Sequence, residues 1–195
     1  LDTVGIAFLF APIFHPGFGR VASLRKAMGK RTIFNLLGPL CNPARVKRQL
    51  IGVYDAEFGA LFAETALLLG REQVMVVNGK DGTDEFSITD LTYLAHLSEG
   101  KVRYSAIRPQ DIGITASPGR ALLGGDAAQN AIALRDVLGG LDGPYADAVA
   151  LNAAGLFMLS GDAPSLEHGV ALARGTMARG EPLKKLNQFI EATQA

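Results

Sequence analysis

Residues 50–79, LIGVYDAEFGALFAETALLLGREQVMVVNG, hold two apolar runs of strand length on either side of a helical pattern. Leu50 to Tyr54 is a short apolar run of strand length, and Asp55 follows it as a plausible helix N-cap. Ala56 to Leu69 carries apolar residues at helical spacing and stops at Gly70. Gln73 to Val77 is a second strand run, ending at Asn78-Gly79. Strand, helix and strand within about 30 residues form a βαβ unit, which favours a parallel sheet. The expectation is an α/β fold in three layers, with a mostly parallel central sheet covered by helices.

Further along the chain, Lys101 to Ile107 reads as another strand. After residue 120 the pattern is helical. Asp126 caps a helix running to about Leu138, ended by Gly139-Gly140; Tyr145 to Leu159 is Ala-rich and apolar; Ser165 opens a helix through Met177, closed by Gly180; Pro182 starts the last one. No linker rich in Pro, Ser or charge divides the chain, so residues 1–195 are expected to form a single α/β domain whose C-terminal helices cover the sheet.

Composition narrows the function classes. Apolar residues make up 48% of the 195 and charged residues 19%, with a mean hydropathy of +0.20, which suits a buried core and excludes a disordered chain. The 19 Lys+Arg balance 19 Asp+Glu, so the default attraction to nucleic acid or an acidic membrane is absent. Cys41 is the single cysteine, which rules out an internal disulfide or a Cys cluster for zinc and fits a reducing, cytoplasmic setting. The most apolar segment, Val4 to Phe14, is too short for a bilayer span and has no charged segment before it, so neither a membrane anchor nor a signal peptide is expected.

Three segments hold residues with chemistry. In FLFAPIFHPGF (8–18), a His-Pro-Gly turn holds His15 at the end of an apolar element, where it either satisfies turn hydrogen bonds or faces a ligand. Arg20 and Arg25 follow, and Arg25, among Val21, Leu24 and Met28, either snorkels or receives an anion. In KRTIFNLLGPLCNP (30–43), Gly38-Pro39 and Asn42-Pro43 are loop signals around an apolar Leu-Cys pair, either plain turns or the wall of a pocket for a flat ligand; Cys41 has no activating partner and reads as a small apolar residue. In NGKDGTDEFS (78–87), directly after a strand, Asp81, Asp84 and Glu85 are either a solvated acidic turn or a group whose repulsion a divalent cation relieves. No GxGxxG or GxxxxGK[ST] is present, and Gly124-Gly125-Asp126 reads as a tight turn with an N-cap.

Taken together, GIAFLFAPIFHPGF, VASLRKAMGKRTIFNLLGPLCNPA, QLIGVYD, VVNGKDGTDEFSIT, GGDAAQNA and LNAAGLFMLSG closely resemble the anthranilate phosphoribosyltransferases in order and spacing. The resemblance implies the C-terminal domain type shared by nucleoside phosphorylases and phosphoribosyltransferases. It implies a pentosyl-transferring glycosyltransferase of tryptophan biosynthesis, moving a phosphoribosyl group from phosphoribosyl pyrophosphate to anthranilate. In its terms Arg25 pairs with the anthranilate carboxylate, and His15, Pro39 and Phe18 line the aromatic's path. Asp84 and Glu85 hold Mg2+ on the pyrophosphate. No catalytic acid or base is assigned, because the acceptor amine is already neutral at pH 7. Gly17-Phe18 stand where the family has Ala-Met. The family's pyrophosphate-binding glycine loop, its Asn-Ile-Ser-Thr stretch and its Lys-His-Gly-Asn segment are not in these residues. The expectation is therefore a C-terminal portion that does not turn over alone, lacking the small helical domain through which the full-length enzyme forms its homodimer. The alternatives are a pyrimidine nucleoside phosphorylase-like enzyme, which needs no Asp-Glu metal loop, and a non-catalytic nucleic-acid-binding relative, which the neutral charge disfavours.

Overall fold

The computed structural model describes residues 1–15, 17, 27, 29 and 34–194. Its centre is a four-stranded sheet in the order β1 (Arg48–Gly52), β2 (Gln73–Gly79), β3 (Thr92–Ser98), β4 (Lys101–Ile107). Two short helical segments precede it, α1 (Ala11–Phe14) and α2 (Phe34–Leu40). Helix α3 (Phe58–Leu68) crosses from β1 to β2, and α4 (Ala127–Leu138), α5 (Pro144–Ser160), α6 (Leu166–Ala178) and α7 (Glu181–Gln194) follow the sheet.

The βαβ unit is as expected: β1 and β2 are parallel, with Leu50 beside Met75 and Gly52 beside Val77. The expectation of a mostly parallel sheet needs correction. The β2–β3 and β3–β4 pairings are both antiparallel, so the sheet is mixed. A parallel return needs a crossover, typically helical, and residues 80–91 instead fold as a compact acidic loop that sends β3 straight back along β2. β3 is hard to read in the sequence because its turn carries no Asn-Gly or Asp-Gly. Glu99 (φ +53°) and Gly100 (φ +71°) make the turn, both in the left-handed region that a two-residue hairpin of the primed type requires.

β2 is buried on both faces, as its unbroken VMVV run demands. On one face Met75 and Val77 pack with Leu94, Phe86 and Ile88 under Ala150, Leu151 and Ala154 of α5. On the other, Val74 and Val76 pack with Ile51, Ala95 and Leu97 under Phe62, Ala63 and Ala66 of α3. Three layers result. α6 closes against α5 because Gly169 carries no side chain; a Cβ there would lie 2.7 Å from the Cα of Ala154.

Helix ends follow the sequence signals. Asp126 accepts a hydrogen bond from the Gln129 amide at 2.9 Å, and the Gln129 side chain accepts one from the Asp126 amide at 3.0 Å, a complete capping box. Ser165 caps α6 through the His168 amide. Asp55 lies outside α3, accepting from the Glu57 amide at 3.0 Å, so the helix starts two residues later than expected. Gly38-Pro39, expected in a loop, falls inside α2; Pro39 sits in its last turn, where its missing N–H removes one rung. Among the described residues no helix is long and apolar enough to cross a membrane.

Two measurements check these elements. Asp126→Ala removes one half of the capping box and is expected to lower stability by about 1 kcal/mol in a urea titration. His96 on β3 has its ring Nε2 buried without a hydrogen-bond partner among the described residues, and Arg103 stands directly across the ladder. Burial first, and Arg103 second, hold this imidazole below its ordinary pKa. The folded state therefore binds fewer protons there, so its stability is intact above about pH 6.5 and declines as the pH falls below that value. His96→Leu is expected to flatten this decline below about pH 6.5; equal pH slopes of the denaturation midpoint in both proteins would contradict it.

Candidate functional site

β1 and β2 end side by side at Gly52 and Gly79, and the 80–91 loop folds over these ends. Beyond the carboxyl ends of the strands is where α/β sheets bind ligands. The loop is built by short polar side chains that bond their own backbone. Asp81 accepts from the Thr83 amide at 3.2 Å and from Ser87 Oγ at 2.7 Å. Ser87 Oγ accepts from the amides of Thr89 (3.0 Å) and Asp90 (3.1 Å), and Thr92 Oγ1 accepts from the Ser87 amide at 2.9 Å. Asn78 donates to the Val53 carbonyl at 2.8 Å, joining β2 to the strand beside it.

The loop rests on glycine. A Cβ at Gly52 would lie 1.6 Å from the Asp84 carbonyl oxygen, so the loop backbone lies on the end of β1 where any side chain would stand. A Cβ at Gly79 would lie 2.4 Å from Asp81 Oδ1. From above, α5 secures the same residues. Asn152 Oδ1 accepts from the Phe86 amide at 3.0 Å, while Nδ2 is shared among the carbonyls of Ala148 (3.0 Å) and Phe86 (3.3 Å) and Glu85 Oε2 (3.4 Å). The Phe86 ring fills the place of a side chain at Gly155, where a Cβ would be 2.7 Å from its edge.

These contacts divide the three carboxylates. Asp81 is used inside the loop, whereas Asp84 and Glu85 are exposed and line an open depression of about 760 Å³. Its floor is Leu50, Gly52 and Val77, and its far wall is Tyr145, Asn152 and Leu156. Among the described residues neither Asp84 nor Glu85 takes part in an ion pair. No group of three His, Cys, Asp or Glu suited to a metal occurs among them either. Two open carboxylates beside a roomy depression suit magnesium, which takes one or two carboxylates and leaves its other positions to water and ligand oxygens. They do not suit a closed zinc or calcium cage.

His15 is half-buried just after α1, and Pro39 is half-buried in α2 with its carbonyl accepting from Gln49 Nε2 at 2.9 Å; neither lines the 760 Å³ depression. Arg25 and Phe18 lie outside the described residues. Gly124-Gly125-Asp126 is a turn closed on itself, the Gly125 amide donating to Asn130 Oδ1 at 2.9 Å. Cys41 is exposed in the turn after α2. Sequence reasoning misses Gly52 and Asn152. The available signal for Asn152 is a lone amide side chain in an otherwise apolar stretch of α5 (VALNAAGLF), where a polar group needs a specific partner.

A sequence profile described as glycosyl transferase family, a/b domain, matches residues 1–183. The anthranilate phosphoribosyltransferase of Azorhizobium caulinodans is 46% identical over 191 residues, which is 98% of this chain and 56% of that protein. The chain thus spans little more than half the length of the curated relatives it matches. The crystal structure of anthranilate phosphoribosyltransferase from Thermus thermophilus superposes with a TM-score of 0.91 at 40% identity, covering 98% of this chain and 57% of that one. The Saccharomyces cerevisiae anthranilate phosphoribosyltransferase in complex with PRPP and Mg superposes at 0.87 and 30% identity, covering 96% and 54%. The same yeast protein in complex with 4-fluoroanthranilate superposes at 0.88 and 30% identity, covering 96% and 55%. With the profile matched over nearly its whole length and the fold shared with these structures, the chain belongs to the glycosyl transferase family by its α/β domain.

Proposed function

We propose that this chain serves the transfer of a phosphoribosyl group from phosphoribosyl pyrophosphate to the amine of anthranilate. The observation that carries the reading is the pair Asp84 and Glu85, held at the strand ends beside a depression of about 760 Å³. The likeness to relatives named for this activity supports it, and so do the PRPP, Mg and 4-fluoroanthranilate of the yeast structures.

In this reading Asp84 and Glu85 hold Mg2+ against the pyrophosphate. The cation, when bound, neutralises charge on the leaving oxygens as the bond to the ribose carbon breaks. The chain's remaining contribution is orientation. Arg25 takes the anthranilate carboxylate in a charge-assisted pair, and His15, Phe18 and Pro39 line the aromatic's path. Anthranilate's amine is neutral at pH 7 and attacks without prior loss of a proton, so correct placement of the nucleophile lowers the barrier more than a strong base would.

Two substitutions test the two halves of the site in a protein of the relatives' full length that contains this chain. Arg25→Ala is expected to raise KM for anthranilate by roughly tenfold to a hundredfold, as the loss of a charged hydrogen bond of about 1.5–3 kcal/mol requires. KM for phosphoribosyl pyrophosphate is expected to stay close to its original value. Equal changes in both constants, read from the fall in anthranilate fluorescence, would remove Arg25 from the acceptor site. Asp84→Asn combined with Glu85→Gln is expected to abolish the magnesium dependence of turnover while the fold survives, since removing adjacent like charges relieves repulsion. A magnesium response unchanged from the parent would make the loop an ordinary solvated turn.

A further inference from the structure

We infer that Asn152 is the positioning residue of the acidic loop, the group that aims the Glu85 carboxylate and keeps Asp84 and Glu85 preorganised for a divalent cation. The inference rests on the proposed metal role of those two carboxylates.

Three features set Asn152 apart from an ordinary polar residue on a helix. It is half-buried in α5, and its side chain reaches out of its own helix to a loop 66 positions earlier in the chain. Its two ends grip one peptide segment from both sides: Oδ1 accepts from the Phe86 amide and Nδ2 reaches the Phe86 carbonyl. The same Nδ2 also reaches Glu85 Oε2 at 3.4 Å, so one amide group fixes both the backbone and one carboxylate. Asp84 is placed differently. Its carbonyl rests on Gly52, and its side chain has no hydrogen-bond or ion-pair partner among the described residues.

The two carboxylates are therefore unequal. Glu85 is steered from α5 through a neutral donor, which orients an anion without neutralising it and so leaves its charge available to a cation. A lysine or arginine in that place would orient the carboxylate equally well and compete with the metal for it. Outer hydrogen bonds of this type set the orientation of metal-binding carboxylates, and their removal costs metal affinity without touching a ligand.

Nuclear magnetic resonance of a protein of the relatives' full length that contains this chain tests this without turnover. On titration of the wild-type protein with Mg2+ in the presence of inorganic pyrophosphate, the backbone amides of Asp84 and Glu85 and the side-chain NH2 of Asn152 are expected to shift together with one apparent affinity. Shifts at Asp84 and Glu85 with a silent Asn152 side chain would overturn the inference and leave the metal loop standing. No shift at Asp84 or Glu85 would overturn the metal role itself and this inference with it. Asn152→Ala is expected to weaken Mn2+ binding, read by paramagnetic broadening at residues 83–86, by about tenfold. In a Glu85→Gln background the same substitution is expected to have little further effect. An equal loss in both backgrounds would mean that Asn152 acts through the general fold and not through Glu85. If Asn152→Ala does not fold, the wild-type Mg2+ titration alone decides.

Discussion

The Asp84 carbonyl lies where the Cβ of residue 52 would be, and much of the candidate site depends on that backbone-to-backbone approach. Glycine at the end of β1 lets the acidic loop settle onto the strand ends instead of arching over them. Once seated, the loop meets α5, and Asn152 and Gly155 receive its Phe86. The open carboxylates are thus held from below by a missing side chain and from above by an amide that matches a peptide. Loops carry chemistry well when a rigid scaffold supports them, and here the support comes from two strands and a helix.

That scaffold is rigid because β2 has no exposed face. Its alternating residues feed two separate apolar clusters, Met75 and Val77 on the α5 side and Val74 and Val76 on the α3 side. Burial of apolar area at about 25 cal/mol per Å² makes such a strand difficult to displace. The loop leaves directly from the end of β2, so the positions of Asp84 and Glu85 follow from the packing of a strand that cannot shift in register without exposing its core residues. The reversal at residues 80–91 has a second consequence. It gives the sheet its antiparallel half, β3 and β4, and β4 forms a solvated edge with Lys101 and Arg103 exposed, charges that discourage pairing with another chain.

Several parts of this arrangement are legible in the residues. The βαβ unit follows from its strand runs and Gly70, α4 from Asp126 and Gly139, α5 from its Ala-rich apolar run, α6 from Ser165 and Gly180, and the start of α7 from Pro182, all within two residues or so. The α/β class stands on those signals. The parallel character of the whole sheet does not, because β3 and the nature of its connection to β2 are invisible along the chain. A loop rich in acidic residues says nothing by itself about the direction in which the chain leaves it, and Glu99-Gly100 is an inconspicuous turn. Pro39 misleads for a related reason: a Gly-Pro pair signals a break, yet in the last turn of a short helix it removes only one hydrogen bond.

Periodicity, caps and residue type are properties of neighbours along the chain, and they suffice for the local elements and for the presence of three carboxylates after a strand. Which of those carboxylates turn inward and which open to the depression depends on contacts that form only in the folded chain. Asp81 is consumed by Ser87 and Thr83, a choice made by how the loop closes on itself. Likewise Gly52 is unremarkable in its own surroundings, and the lone amide of Asn152 says that it needs a partner but not which one. They acquire a role because β1 and α5, 100 residues apart between Gly52 and Asn152, converge on the same peptide segment, and contacts between segments so distant exist only once the core has brought them together.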